Sequence, residues 1–363
     1  MKKRLRVAVL CGGRSAEHEV SLRSAGNVIR AMNPKKYQVL VIGIDRQGCW
    51  RLYDAERFVA CADDPGRIRL RQNGRRLALA PGSGRFIDLG KGRALAAVDV
   101  VFPVLHGPFG EDGTVQGLLE LAGLPYVGAG VLGSAAGMDK EVMKRLLSEA
   151  GVPVTEFAVL YRHRADPAHL RSSVARLGLP LFVKPANLGS SVGVSKVRTR
   201  PELSDALRLA FAYDDKVLLE SFVPGREIEC SVLGNADPVA SLPGEVVPQA
   251  EFYSYRAKYI DENGALLRAP VDLPERLIAE VQRLSVESFR ACCCAGMARV
   301  DLFLTPRGRL VVNELNTIPG FTSISMYPKL WQASGISYTK LIDRLIRLAL
   351  DRHRQKARMK TDC

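Results

Sequence analysis

The feature that most limits the fold of this chain is a change in its hydrophobic pattern near residue 130. Before it, apolar strand-like runs alternate with helix-forming segments, in the order RVAVL, helix, YQVLVIGID, and later VDVVFPVLHG followed by GEDGTVQGLLELAG. Such alternation is typical of βαβ units and predicts an open parallel sheet over residues 1–127. Ser21 is the predicted N-cap of the first helix, because its hydroxyl can accept a hydrogen bond from a free N–H group there.

After residue 138 an amphipathic helix, DKEVMKRLLSEAG, is followed by apolar runs that come in pairs. The pairs are PLFVKP with VGVSKV, KVLLESFV with REIECSVLG, and ARVDLFLT with RLVVNELN. Strands joined by short turns predict antiparallel sheets. We therefore expect an α/β domain followed by two α+β domains, with boundaries at 1–127, 128–219 and 220–363.

The net charge of +14 raises the question of a nucleic-acid partner, so its location matters. The excess is confined to residues 1–6, 65–93 and 351–363. The middle segment contains IRLRQNGRRLAL, which predicts a hairpin around Asn73-Gly74 with arginines at alternating positions. A solvated edge strand protected by charge explains this pattern better than an RNA-binding surface does, although the second interpretation stays open.

The eight cysteines include the run Cys292–Cys294 inside a helix-like segment and show no spaced pairs of a zinc site. This usage predicts reduced thiols and a cytoplasmic protein. No apolar run is long enough to span a membrane, and Val7–Cys11 is too short for the core of a signal peptide.

The last strand pair predicts a metal site. If its turn centres between Arg307 and Gly308, Asp301 lies opposite Glu314, and Arg299 lies opposite Asn316. Two facing carboxylates repel each other unless a cation lies between them, and a set of oxygen donors suits Mg²⁺. The alternative is a plain ion-pair network between Arg299 and Asp301, which gives no reason for the additional Glu and Asn.

A second chemical feature is LPLFVKPANLGSSVGVSKV, in which Lys184 closes an apolar strand just before a Gly/Ser loop. A lysine at such a place needs an anionic partner, and the loop offers main-chain N–H groups and hydroxyls. Both features suit phosphate, although the order of elements is not that of a P-loop. The sequence therefore predicts a nucleotide held between two sheets, with Lys184 and Lys140 on its phosphates.

Seven segments together resemble the D-alanine:D-alanine ligase family of the ATP-grasp superfamily, nearly from end to end. They are LCGGRSAEHEVSLRSA, FPVLHGPFGEDGTVQGLLELAGLPYVGAG, MDK, VKPANLGSSVGVSKV, FYSYRAKY, ARVDLFL and VNELNTIPGFTSIS. The resemblance implies a preATP-grasp domain followed by a two-domain ATP-grasp fold. It also implies ligation of two D-alanines through an acyl phosphate for peptidoglycan precursors, with ATP, two Mg²⁺ or Mn²⁺ ions, and a homodimeric cytoplasmic enzyme.

The same resemblance assigns roles by position. Glu17, Ser190 and Tyr259 would form a hydrogen-bonded triad that holds the ammonium of the first D-alanine and closes a loop over it. The oxyanion, the second carboxylate and the transferred phosphoryl group would contact Arg299, the N–H of Gly320, Ser325, Lys258 and His106. The nucleotide would contact Lys140, Lys184, Glu220, Phe222, Val223, Glu227 and Asn313, and the metal Asp301, Glu314 and Asn316.

Several alternatives stay open at this point. His106 could be a buried turn histidine, Ser325 a plain turn residue, and Glu17 an acceptor for the start of the first helix. A same-fold ligase could use D-lactate or D-serine as second substrate, although Tyr259 favours an amine nucleophile. VAVLCGG with Asp45 hints at a dinucleotide site, but the GxGxxG pattern is incomplete. Many relatives carry Lys where this chain has Ser221, which leaves an adenine contact there undecided.

Overall fold

The structure is a computed structural model that describes residues 3–62, 64–164, 166–249 and 265–360. Three main sheets follow one another along the chain. Among the helices in these ranges, none is both long and apolar enough to cross a membrane.

The first sheet is mixed. The strands in this part of the protein are, in chain order, β1 Leu5–Gly12, β2 Tyr37–Ile44, β3 Trp50–Tyr53, β4 Val59–Ala60, β5 Arg69–Leu70, β6 Arg75–Ala80, β7 Arg85–Asp88, β8 Arg93–Ala94 and β9 Val100–Val104. Seven of them form one sheet in the order β8-β7-β6-β3-β2-β1-β9, and β4 pairs with β5 separately. Only β2, β1 and β9 are parallel. The expectation of a parallel sheet therefore holds for one end of the sheet, and β3 and β6–β8 extend it on the other side in antiparallel fashion.

The predicted hairpin around Asn73-Gly74 is wrong. The strand before it, β5, pairs with β4, whereas the strand after it, β6, pairs with β3 and β7. The basic segment thus builds the outer edge of the first sheet, where both residues of β8 are exposed.

Four helices accompany this sheet and lead out of it: α1 His18–Ala31, α2 Thr114–Leu121, α3 Val131–Met138 and α4 Lys140–Glu149. Ser21 is not the N-cap of α1, which begins at His18. Instead its buried hydroxyl accepts from the N–H of Gly12 at 2.7 Å and donates to the carbonyl of Val104, so it joins the ends of β1 and β9. Asp139 caps α4 by accepting from the N–H groups of Glu141 and Val142.

The second sheet has the order β10-β13-β11-β12, with β10 Phe157–Tyr161, β11 Leu181–Pro185, β12 Ser195–Val197 and β13 Lys216–Ser221. Helices α5 Pro167–Leu177 and α6 Glu202–Phe211 bury one face of it against Leu181, Val183, Val217 and Leu219. Because side chains alternate along a strand, Phe182 and Lys184 point to the opposite face. Glu220 lies beside Phe182 in the paired strand, on that same face.

The third sheet contains β14 Arg226–Gly234, β15 Val239–Ala240, β16 Gly244–Pro248, β17 Ala265–Arg268, β18 Gly296–Leu304 and β19 Leu310–Asn316. The helices here are α7 Glu275–Ala291, α8 Met326–Ala333 and α9 Tyr338–Lys356. The expected pairing of KVLLESFV with REIECSVLG is wrong, since β13 and β14 belong to different sheets. The Cys292–Cys294 run follows the end of α7 rather than lying inside it.

Candidate active site

Two adjoining cavities lie between the sheets, and they share Ser190, Glu227, Asn313 and Glu314 among their lining residues. The first is also lined by Glu17, His106, Glu111, Arg299, Asp301, Asn316, Gly320 and Ser325. The second is also lined by Lys140, Phe182, Lys184, Lys196, Glu220, Phe222 and Val223. Side chains from all three sheets therefore meet at one place.

The polar cluster of the last hairpin has the predicted register. Asp301 pairs with Glu314, and Arg299 pairs with Asn316. The turn itself centres on Arg307, since Leu304 pairs with Leu310, and a bulge at Asn313 shifts the register back. Because of this bulge, Asn313 and the next residue Glu314 both line the cavities, which successive residues of a regular strand would not do.

Arg299 lies in the middle of this cluster. Its guanidinium donates two hydrogen bonds of 2.7 Å to the carboxylate of Asp301 and contacts Glu229 on β14 at 3.0 Å. Asn316 donates to Asp301 at 3.1 Å. The ion pair considered from the sequence is therefore present, and Glu314 lies beside it on the same face of the sheet.

The Gly/Ser loop between β11 and β12 reaches across to the first sheet. Ser190 donates from its hydroxyl to Glu17, which is buried and follows the end of β1. The side chain of Glu17 does not cap α1. Ser190 and Ser191 both have positive φ angles, 53° and 60°. This conformation is unfavourable for residues other than glycine, so the surrounding contacts must hold it in place.

Lysines line the second cavity. Lys184 donates to Glu220 at 2.6 Å and to the amide oxygen of Asn313 at 3.4 Å. Burial lowers the pKa of Lys184, but Glu220, Glu314 and Glu227 together outweigh burial, and the net pKa is raised. Lys140 donates to the main-chain carbonyl of Leu188 in the loop, and burial lowers its pKa. On this wall of the cavity, Lys184 is thus bonded to the Glu220 carboxylate, and Lys140 is bonded to the loop.

The apolar side of the second cavity comes from aromatic rings. Phe182 and Phe222 lie with ring centroids 6.2 Å apart, and the ammonium of Lys196 lies 4.2 Å from the centroid of Phe222. The hydroxyl of Ser221 points away to the carbonyl of Leu177, at 3.1 Å. A flat apolar wall next to a cationic wall suits a heterocycle that carries phosphates.

Two buried titratable groups close the first cavity. Burial lowers the pKa of His106, whose Nδ1 lies 3.0 Å from the carbonyl of Ile318 and whose Nε2 lies 3.4 Å from Ser24. Burial, and then the charge of Glu17, raises the pKa of Glu111 to about 8. Glu111 is therefore mostly protonated near neutral pH and adds little negative charge beside Glu17.

Family models cover most of the chain. The model described as "D-ala D-ala ligase N-terminus" matches residues 6–129, and the one described as "D-ala D-ala ligase C-terminus" matches residues 146–347. The chain belongs to the D-alanine–D-alanine ligase family. The resemblance noted in its motifs is thereby confirmed.

Full-length relatives agree with this membership of the D-alanine–D-alanine ligase family. The chain is 53% identical over 362 residues to D-alanine–D-alanine ligase A of Chromobacterium violaceum, with 99% of each chain covered. It is 50% identical over 361 residues to the ligase A of Escherichia coli K12, again with 99% of each covered.

Solved structures of this family share the fold. The D-alanine-D-alanine ligase from Coxiella burnetii has a TM-score of 0.86 at 41% identity and covers 98% of this chain and 96% of its own. The VanG D-Ala:D-Ser ligase from Enterococcus faecalis has a TM-score of 0.84 at 36% identity, with 96% of this chain and all of its own covered. The mixed α/β fold and the antiparallel sheets behind the site are thus those of the ligase family.

Most of the residues that the sequence suggested for the ligase site meet around these two cavities. Ser325 lies close to Gly320, since a Cβ atom at Gly320 would come within 2.7 Å of its hydroxyl. Ser325 also accepts from the N–H of Thr322 at 2.9 Å, a turn contact. Lys258 and Tyr259 lie outside the described residues, so two of the predicted contacts have no position here.

The sequence reasoning missed three charged residues at or beneath the site: Glu111, Lys144 and Glu229. Glu111 stands between glycines in GEDGT, and its carboxylate accepts from the N–H of Gly107 at 2.9 Å. Lys144 is one helical turn after Lys140 on the buried face of α4. The charge of Lys144 beside Met143 and Leu147 on the buried face of the helix is the signal that could have identified it.

Proposed function

We propose that this protein ligates two D-alanines to D-alanyl-D-alanine with ATP, through an acyl phosphate. The observation that carries the proposal is the junction of two cavities at Glu314: one is lined by lysines and aromatic rings, the other by Glu17 and Arg299. A phosphate donor in one cavity and an amino acid in the other would meet at the cluster that the last hairpin provides. Full-length similarity to D-alanine–D-alanine ligases supports the choice of substrate.

The second cavity is the proposed nucleotide site. Lys140 and Lys184 supply positive charge for the phosphates, and the loop residues Gly189, Ser190 and Ser191, which line this cavity, would supply main-chain donors. Phe182 and Phe222 form the wall for the base, with Val223 and Glu227 beside them at the base and the ribose.

The donor set of the last hairpin fits divalent cations. Asp301 and Glu314 face each other across β18 and β19, with Asn316 two residues along. Among the described residues, His, Cys, Asp and Glu side chains do not form a group of three or more that could hold a metal ion by themselves. The proposed site therefore needs the amide of Asn316 and oxygens of a bound ligand as well. Two carboxylates and an amide leave coordination positions for phosphate oxygens and water, as Mg²⁺ and Mn²⁺ prefer, and two ions would fit the family pattern. When bound, such ions neutralise phosphate charge.

The first cavity is the proposed amino-acid site. The carboxylate of Glu17 would bind the ammonium of the first D-alanine, and Ser190 would keep the loop closed over it. Arg299 and the N–H of Gly320 would stabilise negative charge on the reacting carboxyl oxygen. A closed loop excludes water, which would otherwise hydrolyse the acyl phosphate.

The proposal also includes the cellular location and the oligomeric state of the protein. The cysteines of the described ranges are free thiols, which supports a cytoplasmic protein. We propose a homodimer by resemblance to the family, and sedimentation equilibrium would test it.

The decisive experiment is phosphate release from Mg-ATP with D-alanine alone, with L-alanine, and with D-alanine plus D-lactate or D-serine, with products identified by mass. We expect release that depends on D-alanine, with the D,D-dipeptide as the main product in every mixture. A mixed product that contains D-serine or D-lactate would move the assignment to the alternative second substrate. Release that does not depend on D-alanine would reject the proposal.

A further inference from the structure

Lys144 lies beneath the proposed nucleotide cavity and has no contact with solvent. Its relative exposure is 0%, whereas Lys140, one turn earlier on α4, lines the cavity itself. Burying an ammonium group is costly unless it is paired and hydrogen-bonded. The position of Lys144 therefore calls for an explanation in terms of its partners.

The ammonium group of Lys144 has two hydrogen-bond acceptors and one ion-pair partner, which come from three separate segments. Its Nζ atom donates to the hydroxyl of Thr155 at 2.5 Å and to the main-chain carbonyl of Asn313 at 3.1 Å, and it lies 3.4 Å from Oε1 of Glu220. Asn313 belongs to β19 of the third sheet and Glu220 to β13 of the second. One buried cation thus joins the two sheets that form the walls of the cavity.

Each carboxylate oxygen of Glu220 lies near a lysine: Lys184 donates to one of them, and Lys144 forms a longer ion pair with the other. Lys184 lies 2.6 Å from Oε2, on the cavity side, and Lys144 is near Oε1, on the buried side. Burial alone would raise the pKa of Glu220, but Lys144 and then Lys184 outweigh burial and hold it at about 2. The carboxylate is therefore ionised, and only one of its two cations is exposed to a ligand in the cavity.

We propose that Lys144 is a positioning residue for nucleotide binding, acting as the permanent counter-ion of Glu220 so that Lys184 can turn to phosphate. This inference rests on the proposed ATP-dependent function. Without Lys144, Lys184 would be the cation bonded to Glu220 that has to balance its charge, and phosphate would have to compete with a buried carboxylate for it.

The test is ADP binding with Mg²⁺ by isothermal titration calorimetry, which needs no turnover. For Lys144→Met we expect ADP to bind about 10- to 100-fold more weakly than it binds to wild type. This loss corresponds to about one charge-assisted hydrogen bond. Arg145→Met is the matched control: it removes a cation from the next position on the same helix, where the side chain is 68% exposed. Unchanged affinity in Lys144→Met would overturn the inference.

A double-mutant cycle with Glu220→Gln separates this mechanism from general destabilisation. If Lys144 acts through Glu220, adding Lys144→Met to Glu220→Gln should change ADP affinity by less than about twofold. If the double variant binds ADP more than about twofold more weakly than Glu220→Gln does, the inference is overturned. Should Lys144→Met fail to fold, this second comparison decides alone, because the double variant leaves no buried carboxylate without its counter-ion. A wild-type protein that does not bind ADP would reject the ATP-dependent function itself, and the inference with it.

Discussion

At the level of single residues, Glu314 has the most direct chemical consequence. It lines both cavities and faces Asp301 across the hairpin, and under the proposed function its charge would help to hold a divalent cation between the two carboxylates. We expect Glu314→Gln to lower kcat/KM for Mg-ATP by at least about 100-fold, since glutamine keeps the shape but loses the charge. The melting temperature should stay within about 2 °C of wild type.

Steady-state kinetics at saturating D-alanine measures the effect of Glu314→Gln. Glu287→Gln, on the surface of α7, is the control and should leave kcat/KM unchanged. Full turnover in Glu314→Gln would remove the metal role from this hairpin.

Glu111 gives a prediction about pH. Its pKa is raised from the ordinary 4.5 to about 8, first by burial and then by Glu17. The unfolded chain therefore releases this proton at lower pH than the folded protein does, and stability is lost as pH rises from about 4.5 to about 8. Glu111→Gln cannot ionise, so its stability relative to wild type should increase over that interval and level off above it.

Urea denaturation of wild type and Glu111→Gln at pH 5, 6, 7 and 8 measures this difference. The exposed Glu149 provides a control, because Glu149→Gln should follow wild type at every pH. Parallel curves for wild type and Glu111→Gln would contradict the raised pKa.

Residue patterns predicted some of these positions and not others, for a physical reason. Asp301 and Glu314 could be placed opposite each other because strand alternation and one short turn determine their register. Lys144 and Glu111 could not, because their roles depend on burial against segments far away in the chain. Lys144, for instance, contacts Asn313, which is 169 positions later.

At the level of elements, the bulge in β19 decides how the hairpin presents its polar groups. Asn313 is the extra residue, so deleting it would leave Glu314 opposite Asp301 but would straighten the strand. It would also remove the carbonyl that accepts from Lys144. We expect the deletion variant to fold but to lose at least about 100-fold in kcat/KM for ATP.

Asn313→Ala is the matched variant for this deletion, because it keeps the bulge and removes only the side-chain amide. Its kcat/KM for ATP should fall by less than about 10-fold. Circular dichroism checks that both variants are folded, and steady-state kinetics with varied ATP concentration gives kcat/KM for each variant. Equal activity of the two variants would mean that the bent strand does not matter for the site.

Sequence reasoning was most successful for elements with local partners and failed where strands chose distant ones. The pair β11 and β12, joined by the Gly/Ser loop, was predicted and is confirmed. The turns at Asn73-Gly74 and Pro224-Gly225 look equally favourable in sequence, yet each joins strands that pair elsewhere. Turn chemistry shows where the chain can reverse, whereas sheet partners are set by tertiary packing.

At the level of the whole molecule, α9 connects the end of the chain to its beginning. Its apolar face, which includes Leu341, Ile342 and Leu345, packs in the same core as Val7 and Val9 of β1. Further along, Lys356 pairs with Glu120 at 2.6 Å. The helix therefore holds the first sheet, which carries Glu17, against the part of the chain that carries Arg299.

Arg352 of α9, which is half-buried, makes a polar contact in this connection. It donates to the carbonyl of Tyr126 at 2.9 Å and to that of Gly128, and its guanidinium lies 4.6 Å from the centre of the Tyr126 ring. Arg352→Met would leave both carbonyls without this donor, so we expect the free energy of unfolding to fall by about 2–4 kcal/mol. Arg354→Met, 65% exposed on the same helix, should change it by less than about 0.5 kcal/mol. Urea denaturation of both variants at one pH measures the difference. If the two lose the same stability, the hydrogen bonds of Arg352 do not help to hold the first sheet, and with it Glu17, in position.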